Sequence, residues 1–265
     1  MHYVRSASVA TLISMQLLFG HVALAQSLDE VLAAVSQNVK VLEDHLPDFV
    51  CSEKVVSTQF DKGRVIKQRV VESIFTGFQR AREENRLRFG FTESREVVTI
   101  DGKPVRKGTP FPKLPYRFSG GFSSLLTTTF AQDNLDFHNY SIEDTYKSQN
   151  GNAILIRFST KEGQQKLRSV LQGETLFSKD VGAAWIDQKT LRVLRLQRQS
   201  LNLPSDLTRS IATADYGPVT IGDAEFWIPV KVRAEVTERY TTLSVRYEAE
   251  YTDCKKFTAE IKISP

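Results

Sequence analysis

Histidine and cysteine are scarce in this chain, with four and two residues among 265. Only His45 and His138 lie beyond residue 25, too few for a convincing metal site. The common signatures of catalysis are missing as well. There is no G-x-S-x-G elbow, no H-E-x-x-H, no Walker loop, no G-x-G-x-x-G and no C-x-x-C. No motif asks for a cofactor, and an enzyme is not expected. Neither sign of charge dominates: the formal net charge is +4, which does not point to nucleic acid as a partner.

What is present begins with an export signal. Arg5 supplies a positive start, Val9 to Phe19 is mostly apolar, and Ala23-Leu24-Ala25 is a small-x-small cleavage pattern. Ser6, Ser8, Thr11, Ser14 and Gln16 dilute the run below the roughly 20 apolar residues that a membrane span needs. Removal of residues 1–25 after Ala25 is therefore expected, with a periplasmic or secreted location. Residues 26–265 are in the size range of one β domain, and no repeat or second boundary interrupts them.

Both cysteines, Cys51 and Cys254, lie near the ends of that stretch. In an oxidising compartment they are expected to form one disulfide joining the first strand to one of the last. Two buried thiols are the alternative.

Leu28, Val31, Leu32, Val35, Val39, Leu42 and Leu46 recur at helical spacing, so residues 27–45 are expected to form an amphipathic helix. Ser27 and Glu30 match a capping box, and Pro47 ends the helix. From Phe49 the period becomes two. Residues 49–60 and 64–75 flank the hairpin signal Asp61-Lys62-Gly63, and Arg95 to Ile100 runs into Asp101-Gly102. Further strands are expected at Ala153 to Ser159, at 184–187 and 191–200 as a hairpin, and at 226–237 and 242–251. Phe257, Ala259, Ile261 and Ile263 close the series. Residues 160–180 read either as a long hairpin or as a mobile excursion.

Along the 226–237 and 242–251 strands, Val230, Val232, Val245 and Tyr247 fall on an apolar face, while Glu235, Glu248 and Glu250 fall on a wet one. That face needs a cover, which the helix can provide. Four prolines make residues 103–122 a loop, and Phe122 to Phe130 should form a short helix. Lys107, Lys113 and Arg117 interleave with Phe111 and Tyr116, a pattern suited to anionic headgroups or a partner peptide. The competing reading packs the aromatics onto the sheet. His138 has no nucleophile or metal spacing beside it, and a surface position is expected.

The order of elements resembles the periplasmic lipoprotein-carrier (LolA-like) superfamily. The carrying features are the leading helix, the β meander, the Val97-Val98-Thr99-Ile100-Asp101-Gly102-Lys103 turn and the Leu125-Leu126 helix. Trp185-Ile186-Asp187-Gln188-Lys189-Thr190-Leu191 is similar to that family's W-x-D-x-x-T hairpin. Leu46-Pro47-Asp48-Phe49-Val50-Cys51 is similar to a strand opening in exported proteins of soil bacteria. The resemblance implies a mainly β fold with helices (α+β), a curved antiparallel sheet or incomplete barrel. An N-terminal helix and a short second helix would cover it. It also implies an apolar cavity for a lipid or lipoprotein acyl chain. Trp185, Val230, Val232, Val245 and Tyr247 are the expected lining, and the protein is expected to be a non-catalytic monomer of the envelope. The alternative is an interaction or sensing module that binds an envelope protein through the basic loop.

Overall fold

The structure is a computed structural model that describes residues 27–79, 91–118, 121–122, 124–148, 151–163, 168–171 and 174–258. The expected signal segment and Ala259, Ile261 and Ile263 lie outside these residues.

Helix α1 (Leu28–His45) opens with the capping box read from the sequence. The Ser27 amide donates to Glu30 Oε2 at 2.9 Å, and the Glu30 amide donates to Ser27 Oγ at 3.3 Å. Strands β1 (Phe49–Asp61), β2 (Arg64–Gln79), β3 (Phe91–Ile100) and the short β4 (Lys103–Pro104) follow. Helix α2 (Ser124–Phe130) and a 3₁₀ turn (Gln132–Phe137) precede β5 (His138–Ser148) and β6 (Gly151–Thr160). Two short strands, β7 (Arg168–Leu171) and β8 (Glu174–Phe177), pair with each other apart from the main sheet, inside the stretch that the sequence left open. The chain continues through β9 (Asp180–Asp187), β10 (Val193–Ser200), β11 (Leu207–Ile221), β12 (Ala224–Glu238) and β13 (Leu243–Lys256).

Eleven strands form one curved antiparallel sheet in the order β4-β3-β2-β1-β13-β12-β11-β10-β9-β6-β5, and it does not close. The first strand thus pairs with the last, and Cys51 and Cys254 are bridged across that pair. A link closing 203 residues removes much chain entropy from the unfolded state, about 5 kcal/mol as an upper figure. Such a bridge fits a protein that folds in an oxidising compartment.

The register shows why the sheet needs a cover. Ile156, Ala184, Leu196, Ala214, Val232, Ala249, Val55 and Val71 stand opposite one another in sequence across β6, β9, β10, β11, β12, β13, β1 and β2. Each is at most 1% exposed, and Val31, Val35 and Val39 of α1 belong to the same buried cluster. Alternation sends Glu235, Glu248 and Glu250 to the other face, as expected, where they meet Arg246, Arg233 and Lys231. Exposed pairs of this kind contribute little to stability.

Several sequence expectations shift. Phe257, expected in a closing strand, lies past the end of β13, and Lys103–Pro104, expected as loop, pair with β3 at the edge of the sheet, where a proline is tolerated. Helix α2 begins at Ser124, because Phe122 instead drops into the core, its ring centroid 5.5 Å from Phe49, 5.1 Å from Phe75 and 5.0 Å from Tyr251. His138 is not at the surface but 4% exposed, because the first residue of β5 faces inward beside Tyr140 and Phe158.

The covered face also holds an ion pair. Glu53 Oε2 accepts from Ser73 Oγ at 2.7 Å and from Arg95 Nε at 2.8 Å, and the guanidinium lies 4.9 Å above the Phe75 ring. The Glu53 side chain is fully buried and that of Arg95 is 10% exposed. Burial works against the charge on Arg95, but the adjoining Glu53 carboxylate outweighs it and holds the guanidinium protonated. Removing one partner strands the other charge. Arg95 also reaches Glu93 at 3.3 Å, so Arg95→Met should lower the unfolding free energy in urea by about 3–5 kcal/mol, and Glu53→Leu/Arg95→Met should recover only the part of that loss due to Glu53. Equal losses in the single and double variants would contradict the pairing.

Candidate ligand cleft

Between α1 and the sheet lies a cleft of about 280 Å³. Val35, Val39 and Leu42 form one wall, Leu126 of α2 the back, and Leu191, Val193, Phe226 and Trp227 the opposite wall. Asn38, His45, Arg192 and Glu225 supply its polar lining.

The opposite wall is shaped by the W-I-D-Q-K-T-L segment. Asp187 Oδ1 accepts from the Lys189 amide at 3.1 Å, the Thr190 amide at 2.7 Å and the Thr190 hydroxyl at 2.8 Å. A side chain that gathers donors in this way bends the backbone into a tight turn. Leu191 emerges with φ +52, a conformation that costs a branched residue energy and holds only where its surroundings fix it. The fixing group is Asn38 of α1, whose amide donates to the carbonyls of Thr190 at 3.2 Å and Leu191 at 2.9 Å. Trp227 is oriented in turn, since its indole N–H donates to the Val193 carbonyl at 2.7 Å and Arg192 sits 5.3 Å above its ring. Turn, helix and hairpin therefore hold one apolar gap open between them.

A second groove, of about 470 Å³, lies on the uncovered face. Asn139, Ser141, Arg157, Ser159, Gln197 and Gln199 line it together with Tyr140, Phe158, Val181, Gly182 and Ala183. The smaller cleft is distinguished by its place, between the covering helix and the sheet, where aliphatic and aromatic side chains from both meet.

The five residues expected to line a cavity are distributed as follows. Val232 and Tyr247 lie on the covered face, 1% and 2% exposed, and Phe118 stands 6.3 Å from the Tyr247 ring. A Cβ on Gly121 would fall 2.6 Å from Val232 Cγ1, which shows how closely the loop seats there. Val245 is half-buried opposite Val236. Val230 is the extra residue of a bulge, where the register steps from Lys231 opposite Asp215 to Pro229 opposite Tyr216. Trp185 is half-buried, and alternation with Ala184 and Ile186 puts it on the other face. None of the five lines the cleft.

In the basic loop, Tyr116 is tied down by Ser57, which donates to its carbonyl at 2.8 Å and accepts from its amide at 3.0 Å. Burial pushes the Tyr116 hydroxyl up to about 12. Phe111 packs on the core under the Arg117 guanidinium, at 5.0 Å, while Lys107 and Lys113 stay exposed. The cleft residues missed from the sequence had a signal: Asn38 stands three and four residues from Val35 and Leu42, inside the apolar stripe. Phe226-Trp227 is likewise an adjacent aromatic pair where alternation predicts one.

Among the described residues no group of three or more His, Cys, Asp or Glu side chains is placed to hold a metal ion. No protein-family profile and no curated protein matches the chain. Among solved structures it is similar to a DUF1329 family protein from Desulfovibrio piger, at 12% identity and a TM-score of 0.37, covering 87% of this chain and 95% of that one. It is also similar to a putative outer membrane lipoprotein-sorting protein domain from Vibrio parahaemolyticus, at 13% identity and a TM-score of 0.39, covering 87% and 94%. A LolA superfamily protein from Nitrosomonas europaea is similar at 11% identity and a TM-score of 0.37, covering 90% and 97%. LolA-like proteins are thus among the structures this chain is similar to, as the sequence resemblance implied. The likeness is one of outline, and the functional reading is carried by this chain's own residues.

Burial holds His138 below its ordinary value near 6.5. As pH falls, the unfolded chain takes up this proton before the folded one does. The stability due to neutral His138 is therefore complete above about pH 6.5 and declines as pH falls through that value. The melting temperature should drop between pH 7.5 and pH 5.5, and His138→Gln should flatten that drop. An unchanged slope in the variant would remove His138 as its source.

Proposed function

We propose that this chain is an exported, non-catalytic envelope protein that holds one acyl chain of a lipid or lipoprotein in the α1 cleft. The carrying observation is the gap itself: about 280 Å³ between α1 and the sheet, with walls that are mainly aliphatic and aromatic. Its volume lies just under the ~300–1,000 Å³ of drug-sized sites, which suits a single hydrocarbon chain better than a bulky ring system. Each methylene buried there would contribute about 0.8 kcal/mol. A headgroup would sit near His45 and Arg192. Val232, Val245 and Tyr247 belong to the proposal as the wall beneath the cover, which a longer chain reaches only if the loop at Phe118 and Gly121 moves aside. Cleavage after Ala25 and a periplasmic or secreted location are part of the same proposal, supported by the disulfide.

A second reading is an interaction module without a small-molecule ligand. It is favoured by the packing of Phe118 and Phe122 against Tyr247 and Tyr251, which fills part of the concave face with the chain's own rings.

Protein purified from its own envelope should carry lipid in native mass spectra. It should also bind the fluorescent fatty acid cis-parinaric acid. Leu42→Trp, which fills the cleft from a half-buried position, should weaken that binding at least tenfold with little change in melting temperature. Ligand-free protein whose probe binding is unaffected by Leu42→Trp would sink the acyl-chain reading and leave the interaction module.

A further inference from the structure

At one end of the sheet two turns stand side by side. The β1–β2 turn at Lys62-Gly63 and the β12–β13 turn at 239–242 are joined by the Lys62 amide donating to the Thr242 carbonyl at 3.3 Å, and by Thr242 donating to Asp61. The β1–β2 hairpin also projects past its neighbour, because β2 pairs with β3 only from Val71 onward. Just after its polar tip, Asp61 to Arg64, the free part of β2 carries two apolar residues. Val65 is 58% exposed and Ile66 55%, and Ile66 is a bulged residue left without a partner between Lys67 opposite Gln59 and Val65 opposite Phe60. Tyr240 on the adjoining turn is 79% exposed.

Side chains of this kind, exposed together at one end of the sheet, stand here with cations around them. Lys62, Arg64 and Lys67 are exposed beside Val65 and Ile66 in the hairpin, while the Arg239 guanidinium donates to the Leu207 carbonyl at 3.0 Å. The two acids in these turns, Asp61 and Glu238, each accept a hydrogen bond from a threonine. The nearby loop adds to the same sign: residues 103–118 hold five Lys and Arg and no Asp or Glu. Its anchor, Tyr116 on Ser57, lies four residues before Asp61, roughly 13 Å along the strand. Protruding apolar side chains suit a soft surface better than a rigid groove. Tyr at the rim with Lys and Arg around it is the composition of a membrane interface.

We infer that these paired hairpin tips seat the protein on an anionic lipid surface, with Val65, Ile66 and Tyr240 entering the headgroup layer and the surrounding cations meeting lipid phosphates. The contact is separate from the acyl cleft and does not depend on it.

The test is sedimentation of the protein, as purified from its envelope, with two kinds of vesicle. One is 3:1 phosphatidylcholine to phosphatidylglycerol and the other phosphatidylcholine alone. The protein should partition onto the anionic vesicles, less at high salt, and only weakly onto the neutral ones. Val65→Ser/Ile66→Ser/Tyr240→Ser should cut partitioning at least tenfold. Lys62→Gln/Arg64→Gln/Lys67→Gln should cut it about a hundredfold, at roughly 1 kcal/mol per basic residue. All six positions are exposed, so melting temperatures should stay at the parent value. Cis-parinaric acid binding in the same variants should also be unchanged, which separates this contact from the cleft. The inference is overturned if the parent protein ignores anionic vesicles, if it binds both kinds equally, or if either triple variant partitions like the parent. Retention that appears only when envelope proteins are reconstituted into the vesicles overturns it too, in favour of a protein partner.

Discussion

A row of eight apolar side chains crosses the sheet from Ile156 to Val71, and none of it can meet water without a large loss of stability. An open sheet cannot shield such a row by closing on itself, so the chain has to bring other elements to it. The alternation within the row shows how it does so. Ala184, Ala214 and Ala249 stand between Ile156, Leu196, Val232 and Val55, which leaves shallow places where covering side chains can come close. Helix α1, helix α2 and the loop through Phe122 supply the cover, and the disulfide between β1 and β13 secures the seam where the chain's first and last strands meet.

The cover is uneven, and that unevenness produces the candidate site. Over β1, β2 and β13 it is aromatic and dense, with Phe49, Phe75, Phe122 and Tyr251 in mutual contact. The Glu53–Arg95 pair lies against the same group and adds a polar contact that has one satisfied arrangement. Toward the turn after β9 the cover is α1 with Leu126 of α2 behind it, and α1 is tied to the turn by the Asn38 hydrogen bonds to Thr190 and Leu191. A gap with mainly apolar walls lies beside that contact.

Much of this was legible in the residues, and the failures have physical reasons. The period of α1 and its capping box were plain, because Val31, Val35 and Val39 repeat at helical spacing and Ser27 and Glu30 mark the start. Strands β12 and β13 were equally plain through strict alternation. Strand β11 was not read at all. Its inward residues Ser210, Ala212 and Ala214 are small, Gly217 and Pro218 interrupt it, and it is made a strand by its long neighbour β12 rather than by its own pattern. His138 was misplaced because a lone histidine carries no periodicity, and only the pairing of β5 with β6 reveals which way it faces. The cleft was out of reach for a related reason. Asn38, Leu191 and Trp227 are far apart in sequence and meet only through one turn geometry, so the apolar wall could be named while the open part of it could not.

The central claim is that α1 shields the sheet's apolar row as an integral layer and not as a loosely attached helix. Hydrogen–deuterium exchange along α1 tests it most directly, since a helix this short protects its amides only when docked. The account predicts that amides from Val31 to Leu42 exchange as slowly as those in β12 and β13. Exchange near the rate of a free helix, with β12 and β13 still protected, would contradict it.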